Sequence, residues 1–265
     1  MGNNKVDRGI IEDIPISDSV NIVKGLYFEL TGPVNIPGIK KTVNDLELCF
    51  DNSNGDELKA FIIKVSGSDI QDNTAAYKRA YRFTNFLTLK TGKFVFHKRP
   101  KEIVNGRIGQ IAKSTGSDTV TNNLINLDIT NSALESLLND ESRLNQQLSH
   151  FSNGSKALEG SNFTEAIKEF YQVIEYDTAS PSYLSKYKFL RDGLSHSELT
   201  NSDTINELSN FGITCIENPS STLSPKGKYV DIGDPNVQII LEREAKYLRD
   251  EVLSYLDKKL NIKTN

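Results

Sequence analysis

The sequence predicts an α+β protein in which a small antiparallel sheet with one helix is followed by a helical bundle. Three observations predict this fold class. Short apolar runs separated by turn residues fill positions 22–66. The apolar residues then recur at helical spacing from about residue 74. From residue 132 onwards, successive helices begin at capping residues. We therefore expect an N-terminal α+β domain at 1–128 and a C-terminal helical bundle domain at 129–265.

The N-terminal elements follow from alternation between apolar runs and turn residues. Strands are expected at 22–30, 46–50 and 58–65, with turns at 32–33, 37–38 and 52–55. Residues 74–89 carry an apolar stripe typical of a helix packed on that sheet. The stripe contains Ala76, Ala80, Phe83 and Leu87, widened by Tyr77, Tyr81 and Phe86. A further strand is expected at 94–96, and the polar residues 98–122 predict a long loop.

The C-terminal helices are marked by their caps. Ser132 stands three residues before Glu135, and this spacing predicts a helix that carries leucines from Leu134 to Leu148. Asn162 before Glu165 predicts a second helix, and Ser180-Pro181 predicts a third. A short helix is expected at 203–210 and ends at Gly212.

A β-hairpin is expected between the short helix and the last one. Its strands are predicted at 211–216 and 228–232, joined by a turn at 219–227. Asp234-Pro235 then caps a long last helix whose apolar stripe runs from Val237 to Leu260. The hairpin thus interrupts the helical bundle before its final member.

Composition bounds the class of protein. Cys49 and Cys215 match no metal-ligand spacing, so we expect buried thiols in a reducing compartment and no metal. No apolar run reaches the length of a membrane span or a signal peptide, which predicts a cytoplasmic protein that does not enter the membrane. The glycines compose no phosphate loop or dinucleotide fingerprint, and no cofactor is expected.

Positive charge is concentrated between residues 78 and 113. Ten basic residues there face one acid, Glu102, whereas the whole chain has a net charge of −4. Clustered Lys and Arg gain affinity for a polyanion by releasing its counterions, which makes this segment a candidate RNA-binding surface. A solvated helix face followed by a basic loop is the alternative. The candidate nucleic-acid-binding residues are Lys78, Arg79, Arg82, Lys98, Arg99 and Lys101.

One motif carries candidate chemistry. The chain has three histidines, and only His196 follows an arginine, Arg191, by five positions with a polar residue, Asp192, beside it. A guanidinium can donate two hydrogen bonds to phosphate oxygens, and an imidazole transfers protons near neutral pH. Arg191 and His196 are therefore candidate catalytic residues for phosphodiester cleavage without a metal. Asp192 and Ser195 are candidate supporting residues.

Helix geometry places a condition on this motif. On a regular helix, residues five apart point about 140° from each other and lie about 7.5 Å apart along the axis. Either the helix is distorted near Gly193, or a second copy across a two-fold interface supplies the complementary group. Other roles stay open, because Arg191 could pair with Asp192, Glu175 or Asp177. His196 could be a polar residue favoured by the dipole at a helix C-terminus.

The C-terminal half resembles the HEPN family of helical-bundle proteins. The resemblance rests on the helix Asn162–Phe170, the acidic end Glu175-Tyr176 and the segment Tyr187–His196, which contains the arginine and histidine of the family signature. It implies a metal-independent ribonuclease that works as a homodimer through the helical domain, with a composite cleft of two motifs. It equally admits a non-catalytic dimerisation or binding module. The domain order resembles more narrowly the methylamine utilisation MauJ proteins, a likeness that implies no particular activity.

The C-terminal charge works against RNA affinity. Residues 129–265 contain fourteen basic and twenty acidic residues, a net charge of −6. An acidic surface opposes the approach of a polyanion but leaves room for a narrow basic cleft.

Overall fold

A computed structural model describes residues 12–13, 24–37, 39, 42–50, 57–65, 70–104, 107–108, 125–126, 134–135, 137–138, 143–175, 177 and 182–262. The fold over these residues is mixed α+β, with a small sheet and six α-helices. The chain divides into two compact units. The N-terminal unit comprises Met1–Thr91 and Val95–Asp140, and the C-terminal unit comprises Gly92–Phe94 and Glu141–Asn265.

The N-terminal unit is built on a mainly antiparallel sheet. Its strands are β1 (Glu12–Asp13), β2 (Lys24–Asn35), β3 (Thr42–Val43), β4 (Leu46–Phe50), β5 (Glu57–Lys64), β6 (Lys101–Val104), β7 (Arg107–Ile108) and β8 (Ile125–Asn126). They pair in the order β1-β7-β6-β2-β5-β4-β3, and β8 pairs in parallel with β2. The predicted strands at 46–50 and 58–65 are confirmed.

Strand β2 is longer than predicted. It continues through Gly32-Pro33, where the sequence predicts a turn, and the register against β5 shifts between Glu29 and Val34. Proline cannot donate to a strand ladder, so within a sheet it is tolerated where pairing is interrupted. The turn signal therefore marks an irregularity inside one strand. The predicted turn at 52–55 lies outside the described residues.

The segment after the first helix also differs from expectation. Residues 94–96 form no strand, and only the next residue, His97, forms an isolated bridge to Leu30. Strand pairing instead falls on Lys101–Val104, which runs antiparallel to β2, and on Arg107–Ile108. The predicted loop at 98–122 is thus wrong at these residues. The prediction missed the two β-branched residues Ile103 and Val104, of which Ile103 is fully buried.

Helix α1 (Ile70–Thr91) packs on one face of the sheet, as predicted. Ala76, Ala80, Phe83 and Leu87 are buried, and the Phe83 ring meets the Phe61 ring with centroids 4.9 Å apart. Tyr77 and Tyr81 depart from the prediction that they widen the buried stripe. They are 38% and 58% exposed, because each lies one position, about 100°, beyond a buried alanine.

The C-terminal unit contains five α-helices, one 3₁₀ helix and a hairpin among its described residues. They are α2 (Arg143–Glu159), α3 (Phe163–Glu175), a 3₁₀ helix (Ser182–Ser185), α4 (Lys186–Ser195), α5 (Ser202–Asn210), β9 (Cys215–Glu217), β10 (Lys228–Val230) and α6 (Pro235–Ile262). Strands β9 and β10 pair antiparallel, which confirms the predicted hairpin with shorter strands.

Two of the predicted caps, at Asn162 and Asp234, are confirmed. Asn162 Oδ1 accepts from Glu165 N at 3.3 Å, and Asp234 Oδ1 accepts from Asn236 N at 2.8 Å. Gly212, with φ +86°, follows α5 as expected. Ser180-Pro181 lies outside the described residues, and α4 instead emerges from the 3₁₀ helix without a side-chain cap.

Two further expectations need correction. Helix α2 begins at Arg143, whereas Leu134, Leu137 and Leu138 are buried residues of the N-terminal unit, so the leucines do not share one helix with Leu148. Cys49 and Cys215 are free thiols and only half-buried, where the sequence predicts full burial. Burial nevertheless raises the pKa of Cys49 to about 12 and, more weakly, that of Cys215.

The core of the C-terminal unit lies between α2, α3 and α6. Phe170 on α3 and Phe151 on α2 are fully buried with ring centroids 5.6 Å apart. A Cβ on Gly154 would lie 2.7 Å from the Phe170 ring, so this glycine lets α2 and α3 approach closely. The far end of α3 is thereby held beside α4, where the Arg/His motif lies.

Candidate functional site

Helix α4 carries the motif, and it ends between the two candidate catalytic residues. The helix runs regularly through Gly193 to Ser195, and His196 follows with extended dihedrals (φ −104°, ψ 133°). The His196 N–H donates to Asp192 O at 3.2 Å, which closes the last turn. The 140° separation expected for a regular helix therefore does not apply, because His196 has left the helix. The first of the two alternatives, a distortion of the helix near Gly193, is not observed, because α4 continues through Gly193 and ends at Ser195.

Arg191 is held by two carboxylates. Its Nη2 donates to Glu175 Oε1 at 2.7 Å, and its Nε lies 3.0 Å from Asp192 Oδ1. Its guanidinium carbon also lies 5.1 Å from the centre of the Tyr171 ring, close enough for a cation–π contact. Of the three acidic partners that the sequence leaves open, Glu175 and Asp192 are the ones used. Asp177 instead contacts Tyr255 and Lys259.

The surroundings of Arg191 are negatively charged and partly shielded from water. Two carboxylates face one guanidinium, so these three side chains sum to −1. The Nε atom is buried and, although close to Asp192, is not aligned for a hydrogen bond with any described residue. Burial raises the pKa of Tyr171, with Glu175 adding to the rise and Arg191 opposing it. A single copy of the site is therefore poorly suited to holding an anion.

Ser195 and His196 differ in whether their side chains have a partner. Ser195 Oγ donates to Arg191 O at 2.8 Å, so its hydroxyl hydrogen bond is made within its own helix. The His196 side chain is exposed, and no hydrogen bond or ion pair joins its ring to any residue that the structure describes. The fold thus brings Arg191, Asp192 and Glu175 together, while His196 faces solvent at the helix end.

Gly193 has a packing role. It is buried on α4, and an added Cβ would lie 2.6 Å from Leu208 Cδ1 on α5. Leu208 is itself fully buried, so it has little room to move away. The glycine that the sequence singles out therefore allows α5 to pack against α4 directly below the motif.

The six candidate nucleic-acid-binding residues are engaged to different degrees within the N-terminal unit. Arg79 pairs with Asp45, Arg82 Nη1 donates to Leu138 O at 3.1 Å, and Lys98 Nζ donates to Glu29 Oε1 at 2.9 Å. The Lys101 ammonium lies 5.9 Å from the Tyr27 ring centre. Lys78 and Arg99 are exposed.

An aromatic cluster beside these cations is absent from the sequence-based predictions. The His97 ring lies 5.0 Å from Tyr81 and 4.8 Å from Phe28, and Phe28 also meets Tyr77 edge-on at 5.9 Å. His97 Nδ1 lies 3.0 Å from Lys98 O, while its Nε2 is buried and has no partner among the described residues. Burial lowers the pKa of His97. The sequence signal that could have indicated this cluster is a pair of tyrosines one helical turn apart, Tyr77 and Tyr81, each followed by a basic residue.

The described residues contain no group of three or more His, Cys, Asp or Glu side chains able to hold a metal ion. Over the same part of the chain, each helix is too short or too polar to cross a membrane. No family of known proteins, no curated protein and no solved structure matches this chain.

Proposed function

We propose that the protein is a metal-independent ribonuclease of HEPN type, which acts as a homodimer through its C-terminal unit. The observation that supports this most directly is the meeting of the three segments on which the resemblance rests. Glu175, at the end of α3, fixes Arg191 on α4, and an exposed imidazole follows one residue after α4 ends. A guanidinium that stabilises charge on the phosphoryl oxygens and an imidazole that transfers protons are the two kinds of group that phosphodiester cleavage needs.

The chemistry needs two proton transfers and one charge stabiliser. The RNA 2′-hydroxyl loses its proton and attacks phosphorus, and the bond to the 5′-oxygen breaks as that oxygen takes a proton. The products are a 2′,3′-cyclic phosphate and a 5′-hydroxyl end, so atoms balance without added water. In a dimer, His196 of one copy removes the first proton and the partner's His196 delivers the second. Arg191 stabilises the extra negative charge on the phosphoryl oxygens.

The dimer follows from the number of groups that the reaction uses. One copy supplies one imidazole, whereas the two proton transfers use two. A second copy brings a second guanidinium and a second imidazole to the same phosphate. The cleft is then composite, and each copy alone is inactive.

A second candidate function is a non-catalytic dimerisation or binding module of MauJ-like type. The specific observation that favours it is the pinning of Arg191 by two carboxylates and the Tyr171 ring. In that role Arg191 clamps α3 to α4, and His196 is an ordinary exposed residue at a helix end. The two candidates differ in whether Arg191 and His196 matter for anything besides folding.

An RNA cleavage assay with single and mixed variants separates the two candidate functions. Purified protein is incubated with a mixed RNA pool in EDTA, beside Arg191→Ala, His196→Ala and the control Lys188→Ala, which alters an exposed residue of the same helix. We expect the parent and the control to cleave, and each site variant to lose at least 100-fold, about 2.7 kcal/mol. Mixing the two inactive variants should restore no activity, since a heterodimer holds only one His196, whereas the two proton transfers use the His196 of both copies.

The outcomes are decisive in both directions. Absence of cleavage by the parent, or equal cleavage by His196→Ala, would overturn the ribonuclease proposal. A monomer by light scattering at micromolar concentration would overturn the ribonuclease proposal and the dimerisation role, and it would leave a module that binds another partner.

A further inference from the structure

We propose that the N-terminal unit binds single-stranded nucleic acid by stacking bases on Tyr77 and Tyr81, with phosphates held by Lys78, Lys98 and Arg99. The proposal depends on the ribonuclease function only for naming RNA as the natural ligand. The surface itself is defined by contacts within the N-terminal unit, and its binding can be measured without any cleavage.

The two tyrosines are exposed although they belong to an apolar, well-packed helix. They lie one turn apart on the same flank of α1, and Tyr81 is 58% exposed. The ring of Tyr81 is backed by His97, and Phe28 contacts both His97 and Tyr77. The exposed rings are therefore supported by a fixed aromatic layer. An aromatic ring held in this way loses little entropy when a base stacks on it.

His97 acts as a support with no charge of its own. Its backbone bridges to Leu30 on β2, its Nδ1 lies 3.0 Å from Lys98 O, and its Nε2 is buried. The ring is thereby locked between the sheet and α1. Removal of His97 should loosen Tyr81 and leave the cations in place.

Charge identifies the class of ligand. Residues 78–101 contain eight basic and no acidic residues. Lys78 sits beside Tyr77 on α1, and the exposed Lys98 and Arg99 directly follow His97. Lys98 has one acidic neighbour, Glu29, at a solvent-exposed pair that a phosphate can replace at small cost. Exposed rings flanked by cations suit a strand whose bases are free, since a duplex hides its base faces.

The test measures binding of a fluorescein-labelled fifteen-nucleotide thymidine strand by anisotropy. DNA lacks the 2′-hydroxyl, so the ribonuclease reaction cannot occur on it. We expect the full-length protein to bind this strand, to bind a DNA hairpin duplex at least tenfold more weakly, and to lose affinity as salt rises. Tyr81→Ala should weaken binding at least fivefold, whereas Tyr81→Phe should keep it, because stacking needs the ring and not the hydroxyl.

Charge variants complete the test. Lys78→Ala should weaken binding and reduce the salt slope by about one. The matched control is Lys59→Ala, which removes an exposed lysine of the same unit that pairs with Glu57. Circular dichroism melts check that Tyr81→Ala, a change at an exposed position, leaves the fold intact.

Each alternative outcome overturns the inference. Equal affinity for the duplex, no loss in Tyr81→Ala, or displacement by a polyglutamate peptide at equal charge would each do so. The separation from catalysis is direct, because His196→Ala should bind the thymidine strand like the parent. RNA cleavage without thymidine binding would sink this inference and leave the ribonuclease proposal standing.

Discussion

Arg191 and Glu175 form a 2.7 Å ion pair that fastens α4 to the end of α3. The pair is only partly exposed, with 22% and 28% of the two side chains accessible, and Asp192 adds a second carboxylate 3.0 Å from the guanidinium. The same contact supports two roles, a clamp between helices and the anchor of a catalytic arginine. Substitution of Glu175 separates these two roles.

Glu175→Gln should destabilise the C-terminal unit by about 1 kcal/mol, because a partly buried charged hydrogen bond becomes a weaker neutral one. If Arg191 acts on a phosphate, kcat for RNA should fall about tenfold as the guanidinium loses its orientation. KM should not rise, since one negative charge has left the site. Urea titrations and steady-state cleavage assays measure the two effects.

The control for this change is Glu165→Gln, at an exposed position on α3. It should leave the kinetics unchanged and cost only about 0.3–0.5 kcal/mol, because one negative charge leaves the first turn of α3. A fall in kcat that merely tracks the folded fraction would assign Glu175 and Arg191 to structure alone.

Gly193→Ala should destabilise the C-terminal unit by about 1 kcal/mol net. Overpacking against Leu208 costs about 1–3 kcal/mol, and the better helix propensity of alanine returns about 1 kcal/mol. Leu208→Ala in the Gly193→Ala background should cost about 1 kcal/mol less than in the parent, because the smaller side chain relieves the clash. A double-mutant cycle from urea midpoints measures this coupling, and strict additivity would show that the two residues do not meet.

Tyr187 predicts a loss of stability at alkaline pH. Its hydroxyl donates to Glu244 Oε2 at 2.9 Å. Burial, and to a lesser extent this carboxylate, raises the pKa of Tyr187 well above the usual 10. The folded state therefore keeps a proton that the unfolded state loses above about pH 10. The stabilisation is complete below that pH and declines as pH rises further.

Tyr187→Phe tests this account. It should cost about 1–2 kcal/mol at pH 7, where a buried hydrogen bond to a charged group is lost, and it should flatten the decline between pH 10 and 11.5. Circular dichroism in urea follows both. An unchanged alkaline slope in the variant would contradict the assignment to Tyr187.

His97 predicts a loss of stability at acidic pH. Burial lowers the pKa of its imidazole, so the unfolded state, with an ordinary value near 6.5, takes up a proton first. The stabilisation is present above about pH 6.5 and is lost as pH falls through the lower pKa of the folded state. Comparing urea midpoints of the N-terminal unit at pH 7.5 and 5.5 measures the loss, with amide NMR signals to identify the unit.

In His97→Phe the ring remains but cannot be protonated, so its midpoint should vary less with pH than that of the parent. His196→Asn is the matched control, because it removes an exposed histidine from the other unit. If His196→Asn, and not His97→Phe, reduces the loss of stability between pH 7.5 and 5.5, the buried His97 is not the cause of that loss.

Local sequence was sufficient for the elements whose signals are local. The caps at Asn162 and Asp234, the terminator Gly212 and the buried stripe of α1 act through backbone groups or neighbours within one or two turns. The order of elements and the mixed α+β class follow from them. The same signals failed at Gly32-Pro33, because β2 pairs with the distant strand β5 on both sides of the interruption, at Glu29 and again at Val34, and a turn signal cannot foresee this pairing.

The sequence alone determined which residue types stand at the motif and that Arg191 had acidic candidates within reach. Only the tertiary structure decided that Glu175 and Asp192 take the guanidinium, that α4 ends before His196, and that Gly193 makes room for Leu208. It also decided how wide the buried face of α1 is, and so left Tyr81 exposed beside His97. The physical reason is that ion pairs, ring contacts and close packing depend on separations of about 3–6 Å between distant segments, whereas spacing along one chain fixes only the nearest turns.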